Sequence, residues 1–214
     1  MFTGIIEEVG TVARITRQKG NRRLTVASSR LSQELKEGDS IAVSGVCLTA
    51  VEITKKSFSA DLAQETWART SFSRIQPKSQ LNLELPLKAE GRFGGHIVQG
   101  HVDGVGTFLA LDKFQDADDY WLTLEIPQDL ARYVVLKGSL CVEGISLTIA
   151  KIEGTIASLA IIPHTIRATN LKSLKPGNPV NLEVDLIAKY VEKMMHPRTA
   201  ATKMTLEKLV RQGF

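Results

Sequence analysis

The segment Ser40-Ile41-Ala42-Val43-Ser44-Gly45-Val46-Cys47-Leu48-Thr49 returns 99 positions later as Ser139-Leu140-Cys141-Val142-Glu143-Gly144-Ile145-Ser146-Leu147-Thr148. The same spacing of 99 relates Glu65-Thr66 to His164-Thr165, Pro77 to Pro176, and Asn82-Leu83-Glu84 to Asn181-Leu182-Glu183. Nearer the start, Gly4–Thr11 runs parallel to Gly100–Thr107 at a spacing of 96. The second copy has therefore gained three residues between these blocks, and the polar stretch Asp112–Asp119 is the expected place. A register held over several separated blocks marks a duplicated domain.

Each copy reads as β. Runs rich in Val, Ile, Leu and Thr recur at Gly10–Ile15, Leu24–Ala27, Ser40–Val43, Val46–Thr54, Phe58–Leu62 and Leu81–Leu85, with Gly or polar turns between them. The second copy repeats the rhythm from Val105–Leu111 to Val180–Val184. About six short strands in so few residues suit a small closed barrel, because closure removes exposed strand edges. Short helical inserts are predicted at Ser29–Leu35 and Gln128–Val134, where apolar residues follow an Asp or Ser at helical spacing. Beyond the second copy, Leu186-Ile187, Tyr190-Val191 and Met194-Met195 fall on one helix face up to Pro197, and a second helix is predicted over Thr205–Gln212. An amphipathic helix this short must cover its apolar face, against its own barrel or against another chain. The expected architecture is all-β: two tandem, similar, six-stranded antiparallel Greek-key barrels and a C-terminal α-helix. The expected units are residues 1–88, 89–186 and a helical tail at 187–214.

The 214 residues are 43% hydrophobic and 23% charged, which is ordinary for a soluble globular protein. Of the net charge of +4, all is accounted for by Leu186–Phe214, where Lys189, Lys193, Arg198, Lys203, Lys208 and Arg211 face Glu192 and Glu207. The barrels are then neutral overall, which argues against a nucleic-acid partner. Nothing at the start reads as a signal peptide, and no apolar run approaches the roughly 18 residues of a membrane span. The expected compartment is the cytoplasm. Cys47 and Cys141 stand apart and read as free thiols. His96, His101, His164 and His196 make no zinc-ligand spacing, so no metal is expected. Neither a P-loop, a dinucleotide fingerprint nor a serine-hydrolase elbow occurs.

The two copies differ at chemically meaningful positions. Cys47 stands where the second copy has Ser146, Ile5 where it has His101, Glu65 where it has His164, and Pro86 where it has Asp185. Unequal placement of reactive types suggests two pockets of one shape with different duties. Residue types alone leave a structural role open for each, since Cys is also a small buried apolar residue.

At these blocks the sequence resembles the riboflavin synthases of the homotrimeric, alpha-chain type. The match is carried by Met1-Phe2-Thr3-Gly4-Ile5-Ile6, Gly45-Val46-Cys47-Leu48-Thr49, Gly94-Gly95-His96, Gly100-His101-Val102-Asp103-Gly104, Gly144-Ile145-Ser146-Leu147-Thr148, Ile162-Pro163 and Val180-Asn181-Leu182-Glu183. It spans about residues 1–190. The resemblance implies that two molecules of 6,7-dimethyl-8-ribityllumazine are converted to riboflavin and 5-amino-6-(D-ribitylamino)uracil by transfer of a four-carbon unit, the last step of riboflavin biosynthesis. It implies no cofactor, because the lumazine ring itself accepts electrons once its 7-methyl group loses a proton. It further implies a homotrimer, in which the first barrel of one chain works with the second barrel of its neighbour, and it leaves open an association with lumazine synthase.

Residue by residue, the resemblance places Cys47 and Thr49 in the first pocket, with Cys47 able to add, or to help add water, to one lumazine. Leu62 and Ala63 sit on the same wall, and Thr66 and Val102 belong to substrate binding. His101 stands at the mouth, where an imidazole can move the methyl proton near neutral pH. Ser146, catalytic along with Cys47, His101 and Asp185, lines the second pocket with Thr148 and Ile162; Gly4, Ile6 and Thr165 belong to substrate binding, and backbone and hydroxyl groups hold the pyrimidine edge of the second pocket. Lys137 and Asp185 orient substrate or handle protons, and Phe2 packs over the site. Ser44 and Glu143 depart from the expected Asn and Asp before Gly45 and Gly144, which puts the local turn shape in question. Two rival readings remain: a non-catalytic lumazine- or flavin-carrying relative of the same double barrel, and a general β-barrel interaction module. Retention of Cys47, His101, Ser146, Thr148 and Asp185 together favours the enzyme.

Overall fold

The computed structural model describes residues 1–18 and 20–195. The first copy contributes β1 (Glu8–Gln18), β2 (Asn21–Ala27), β3 (Ser40–Val43), β4 (Val46–Thr54), β5 (Ser57–Leu62), α1 (Gln64–Arg69) and β6 (Gln80–Glu84). The second contributes β7 (Gly104–Lys113), β8 (Tyr120–Glu125), α2 (Gln128–Ala131), β9 (Ser139–Val142), β10 (Ile145–Glu153), β11 (Ile156–Ile161), α3 (Pro163–Ala168) and β12 (Pro179–Val184). α4 (Leu186–Met195) follows. Around the first barrel the strands run β1-β2-β5-β4-β3-β6; around the second, β7-β8-β11-β10-β9-β12. Both are closed, antiparallel and of one topology.

The barrels close because alternate residues point inward. On β4, Val46, Leu48 and Ala50 are buried while Cys47 and Thr49 face out; on β10, Ile145, Leu147 and Ile149 are buried while Ser146 and Thr148 face out. Leu24, Phe58, Phe72 and Leu81 fill the first core, and Leu122, Leu124, Leu159 and Leu171 the second.

The strand registers locate the added residues. Ile15 pairs with Leu24 in the first barrel and Leu111 with Leu122 in the second, so two of the three residues enter in the β7–β8 hairpin. The third lies between β8 and β9, outside Asp112–Asp119. The helical insert predicted at Ser29–Leu35 is only a 3₁₀ turn at Leu31–Gln33. The Glu8 carboxylate caps this turn, accepting from the amides of Ser29 (2.7 Å) and Leu31 (2.8 Å). The insert at Gln128–Val134 shrinks to the single turn of α2. The helix predicted over Thr205–Gln212 lies outside the described residues.

The barrels meet about a pseudo-two-fold axis. The Ser71 amide donates to Asn181 Oδ1 (2.6 Å), and the Asn170 amide donates to Asn82 Oδ1 (2.7 Å). Asn82 Nδ2 donates to the Glu143 carbonyl (2.9 Å), and Asn181 Nδ2 to the Ser44 carbonyl (2.8 Å). Ser44 (φ 44) and Glu143 (φ 50) hold the left-handed conformation that a two-residue hairpin demands, so the turn shape survives the loss of Asn and Asp. The Glu143 side chain earns no solvent contact: its carboxylate accepts from Ser71 Oγ (2.7 Å), Arg74 Nη2 (3.1 Å) and Asn170 Nδ2 (3.1 Å). α4 is tied to the second barrel by Lys189 Nζ donating to Asp103 Oδ1 (2.6 Å), yet Ile187, Tyr190, Val191, Met194 and Met195 are exposed. Among the described residues, no helix is long and apolar enough to cross a membrane.

Candidate active site

The segments that lead into the barrels cross over. Phe2 and Val98 form a two-residue bridge, with Phe2 N–H donating to the Val98 carbonyl at 2.7 Å and Val98 N–H to the Phe2 carbonyl at 3.2 Å. After the bridge each segment docks on the other barrel. The Gly4 carbonyl accepts from the Ser146 amide of β10 (2.8 Å), and the Gly100 carbonyl accepts from the Cys47 amide of β4 (2.8 Å). Ile6 packs against the second core and Val102 against the first. Close docking requires glycine. Gly4 (φ +78) would carry a Cβ 2.7 Å from Ser146 Cβ, and Gly100 (φ +81) one 2.5 Å from Cys47 Cβ.

This crossing brings together two composite patches at matching registers. On the outer wall of the first barrel, half-buried Cys47 lies opposite Ala42 and exposed Thr49 opposite Ser40, flanked by Gly100, exposed His101 and Val102 from the second copy's segment. On the second barrel, half-buried Ser146 lies opposite Cys141 and exposed Thr148 opposite Ser139, flanked by Gly4 and Ile6. The amides of Cys47 and Ser146 are spent on the crossing segments. Ala63 and Ile162 are exposed at the N-termini of α1 and α3, and Thr66 and Thr165 sit half-buried one turn on.

Two sequence-predicted residues are placed differently. Leu62 is an inward residue of β5, fully buried in the first core, so it backs the wall instead of lining it. Phe2 is fully buried with Ala42, Val98, Cys141 and Cys47, wedged between the barrels and not laid over a pocket. Asp185 caps α4, its Oδ1 accepting from the Ile187 amide (2.9 Å). With Ser139 it lines a cleft of about 640 Å³ between α4 and the second barrel. Lys137 is exposed in the left-handed conformation (φ 65), where its twin is Gly38 (φ 91).

Other residues were missed from sequence. His96 Nδ1 lies 2.6 Å from Ser146 Oγ, while its buried Nε2 makes no hydrogen bond. Burial pushes its pKa down, partly opposed by the charge of Asp185, so the ring is held neutral. Glu84 and Glu183, twins at the ends of β6 and β12, hold the crossing segments by their backbone amides. Burial raises both carboxyl pKa values against the lowering effect of those amides. Their signal was visible, since Asn82-Leu83-Glu84 recurs intact and alternates polar residues into an interior. Burial likewise pushes the Cys141 thiol well up, with the charges of Glu183 and Glu84 adding to it. Among the described residues, no cluster of His, Cys, Asp and Glu could hold a metal ion.

A lumazine binding domain family model matches residues 3–86 and again residues 99–185. A riboflavin synthase of Actinobacillus pleuropneumoniae is 41% identical over 217 residues, covering 100% of each chain. The chain belongs to the riboflavin synthase family. Riboflavin synthases of Bacillus subtilis (39% identical, 100% of each chain) and Mycobacterium tuberculosis (42% identical, 91% of this chain and 98% of that one) are similar too. Among solved structures, LumP complexed with 6,7-dimethyl-8-(1'-D-ribityl) lumazine superposes with a TM-score of 0.77 over 86% of this chain and 99% of LumP. At 24% identity, that likeness shows the fold that riboflavin synthases share with LumP and nothing further.

Proposed function

We propose that this chain is a riboflavin synthase acting on two molecules of 6,7-dimethyl-8-ribityllumazine, one held at each composite patch. The observation that carries the reading is the pair of outward-facing couples, Cys47 with Thr49 and Ser146 with Thr148, at one register in twin barrels. One lumazine gives a four-carbon unit and the other takes it, leaving riboflavin and 5-amino-6-(D-ribitylamino)uracil. The products contain all the atoms of the two substrates, so the reaction consumes no co-reactant. Two like pockets replace the encounter of two dilute molecules with a held geometry. Their unlike residues separate donor from acceptor.

Cys47 adds, or delivers water, to one lumazine, and His101 moves the methyl proton from its exposed place on the crossing segment. Ser146 and Thr148 hold the second lumazine, with Gly4, Ile6, Ile162 and Thr165 around it. Lys137 and Asp185 orient substrate or handle protons at that end. Residues 1–88 and 89–186 each supply one barrel wall for binding, and each wall is completed by the other unit's crossing segment. The tail from residue 187 assembles a homotrimer, supported by the exposed apolar side chains of α4. The enzyme works in the cytoplasm and meets lumazine synthase, its supplier of substrate.

The test is incubation of the full chain with the lumazine alone. Riboflavin with an equimolar amount of the pyrimidine is expected. Tight binding without turnover would instead identify a carrier of the LumP kind, and no binding an interaction module. Truncation after Asp185 is expected to give monomers that bind ligand and turn over poorly.

A further inference from the structure

The two buried glutamates do something the barrels themselves do not need. Glu84 is 4% exposed and Glu183 is 2% exposed. Each ends a strand that is already paired on both sides, β6 with β1 and β3, β12 with β7 and β9. Their carboxylates are turned to the crossing segments. Glu183 Oε1 accepts from the Gln99 amide (2.7 Å), and its Oε2 from the amides of Gly100 (2.9 Å) and His101 (3.0 Å). Glu84 Oε1 accepts from the Thr3 amide (2.7 Å) and hydroxyl (2.8 Å), and its Oε2 from the Gly4 amide (3.0 Å). Successive amides converging on one point form a nest that suits an anion. A carboxylate satisfies it with two acceptor oxygens, whereas a carboxamide would turn an NH₂ group towards at least one N–H.

We infer that Glu183 and Glu84 are positioning residues acting across the barrel boundary: Glu183, of the second barrel, sets the Cys47–His101 patch of the first, and Glu84, of the first barrel, sets the Ser146 patch of the second. The path is short in each case. Glu183 fixes Gly100 and His101, and the Gly100 carbonyl holds the Cys47 amide at 2.8 Å. Glu84 fixes Gly4, and the Gly4 carbonyl holds the Ser146 amide at 2.8 Å. The inference rests on the proposed function for what the patches bind, but its crossed pattern is a separate claim.

The experiment compares full-length Glu183→Gln and Glu84→Gln with the parent. The probe is an 8-ribityllumazine lacking the 7-methyl group, which binds without turning over. Amide NMR signals of Cys47 and Thr49 report one patch, and those of Ser146 and Thr148 the other. Glu183→Gln is expected to weaken binding at the Cys47 patch about 10-fold or more, as lost charge-assisted hydrogen bonds do. Affinity at the Ser146 patch of its own barrel should stay within about two-fold. Glu84→Gln should give the reverse. Equal loss at both patches, or loss confined to the barrel that carries the substitution, would overturn the inference. If either variant fails to fold, hydrogen exchange of the parent decides: the amides of Gly100, His101 and Gly4 should exchange as slowly as those of β12 and β6, and exchange at surface-loop rates would overturn it. Parent protein that binds the probe but yields no riboflavin would sink the proposed reaction and leave the crossed pattern standing.

Discussion

Replacing Gly100 with alanine tests the crossed segments at their tightest point. The added Cβ would lie 2.5 Å from Cys47 Cβ, 2.7 Å from Cys47 N and 3.0 Å from Cys47 Cα, mostly backbone that cannot rotate away. Relief requires the segment to lift, which breaks the 2.8 Å bond from the Cys47 amide to the Gly100 carbonyl. Left-handed strain on an L-residue costs about 1–2 kcal/mol, and the lost bond costs about 0.5–1.5 kcal/mol. Together they come to about 2–3 kcal/mol, a melting decrease of roughly 4–12 °C for a chain of this size. Gly38→Ala is the control, because Gly38 (φ +91) has nothing within 4 Å of an added Cβ and its twin Lys137 already tolerates φ 65. It should cost about 1 kcal/mol of strain and leave binding unchanged. The assays are thermal unfolding and calorimetric titration with the non-reacting lumazine. Gly100→Ala is expected to remove one of two binding events. If it melts with Gly38→Ala and still binds two ligands per chain, the first patch is not built by the crossing segment.

Three further outcomes are expected. Alkylation of the native protein should label Cys47 and spare Cys141, whose buried thiol has its pKa pushed up, and the lumazine analogue should protect Cys47; peptide mass spectrometry showing both thiols labelled alike would contradict the burial argument. Glu143→Ala should destabilise by about 3–5 kcal/mol by leaving Arg74 without its buried partner, and denaturant melts of the double variant with Arg74→Ala should show clear non-additivity. The native pKa of His96 is depressed from 6.5, so its neutral form contributes stability that is fully present above about pH 6.5 and is lost as pH falls towards the depressed value. His96→Asn should abolish that part of the acid-side loss in melts followed from neutral to mildly acid pH, and an unchanged pH profile would refute it.

The sequence read well wherever two copies of one message could be laid side by side. Ser40–Val43 and Val46–Thr54 were legible to the residue, because their alternation and the Ser44-Gly45 turn are local features. α1 and α3 were not, since each is six residues long and buries no side chain, leaving no apolar period to read. The Ser29–Leu35 insert misled for the opposite reason: its pattern is helical, but only the 3₁₀ turn Leu31–Gln33 forms, its leading amides capped by Glu8 of β1. The outward faces of Cys47, Thr49, Ser146 and Thr148 followed from strand parity. What parity could not show is that Glu84 reaches residues 80 and 81 positions away, or that Phe2 ends up between the barrels. His96 escaped because it lies outside the matched blocks Gly4–Thr11 and Gly100–Thr107, so comparison of the halves had nothing to set beside it.

The exchange of opening segments has a consequence for how such a gene can change. Once each half completes its sibling, separating the two by a stop codon or a recombination breakpoint leaves both cavities without one side. The halves are free to diverge in chemistry and yet are bound to a common inheritance.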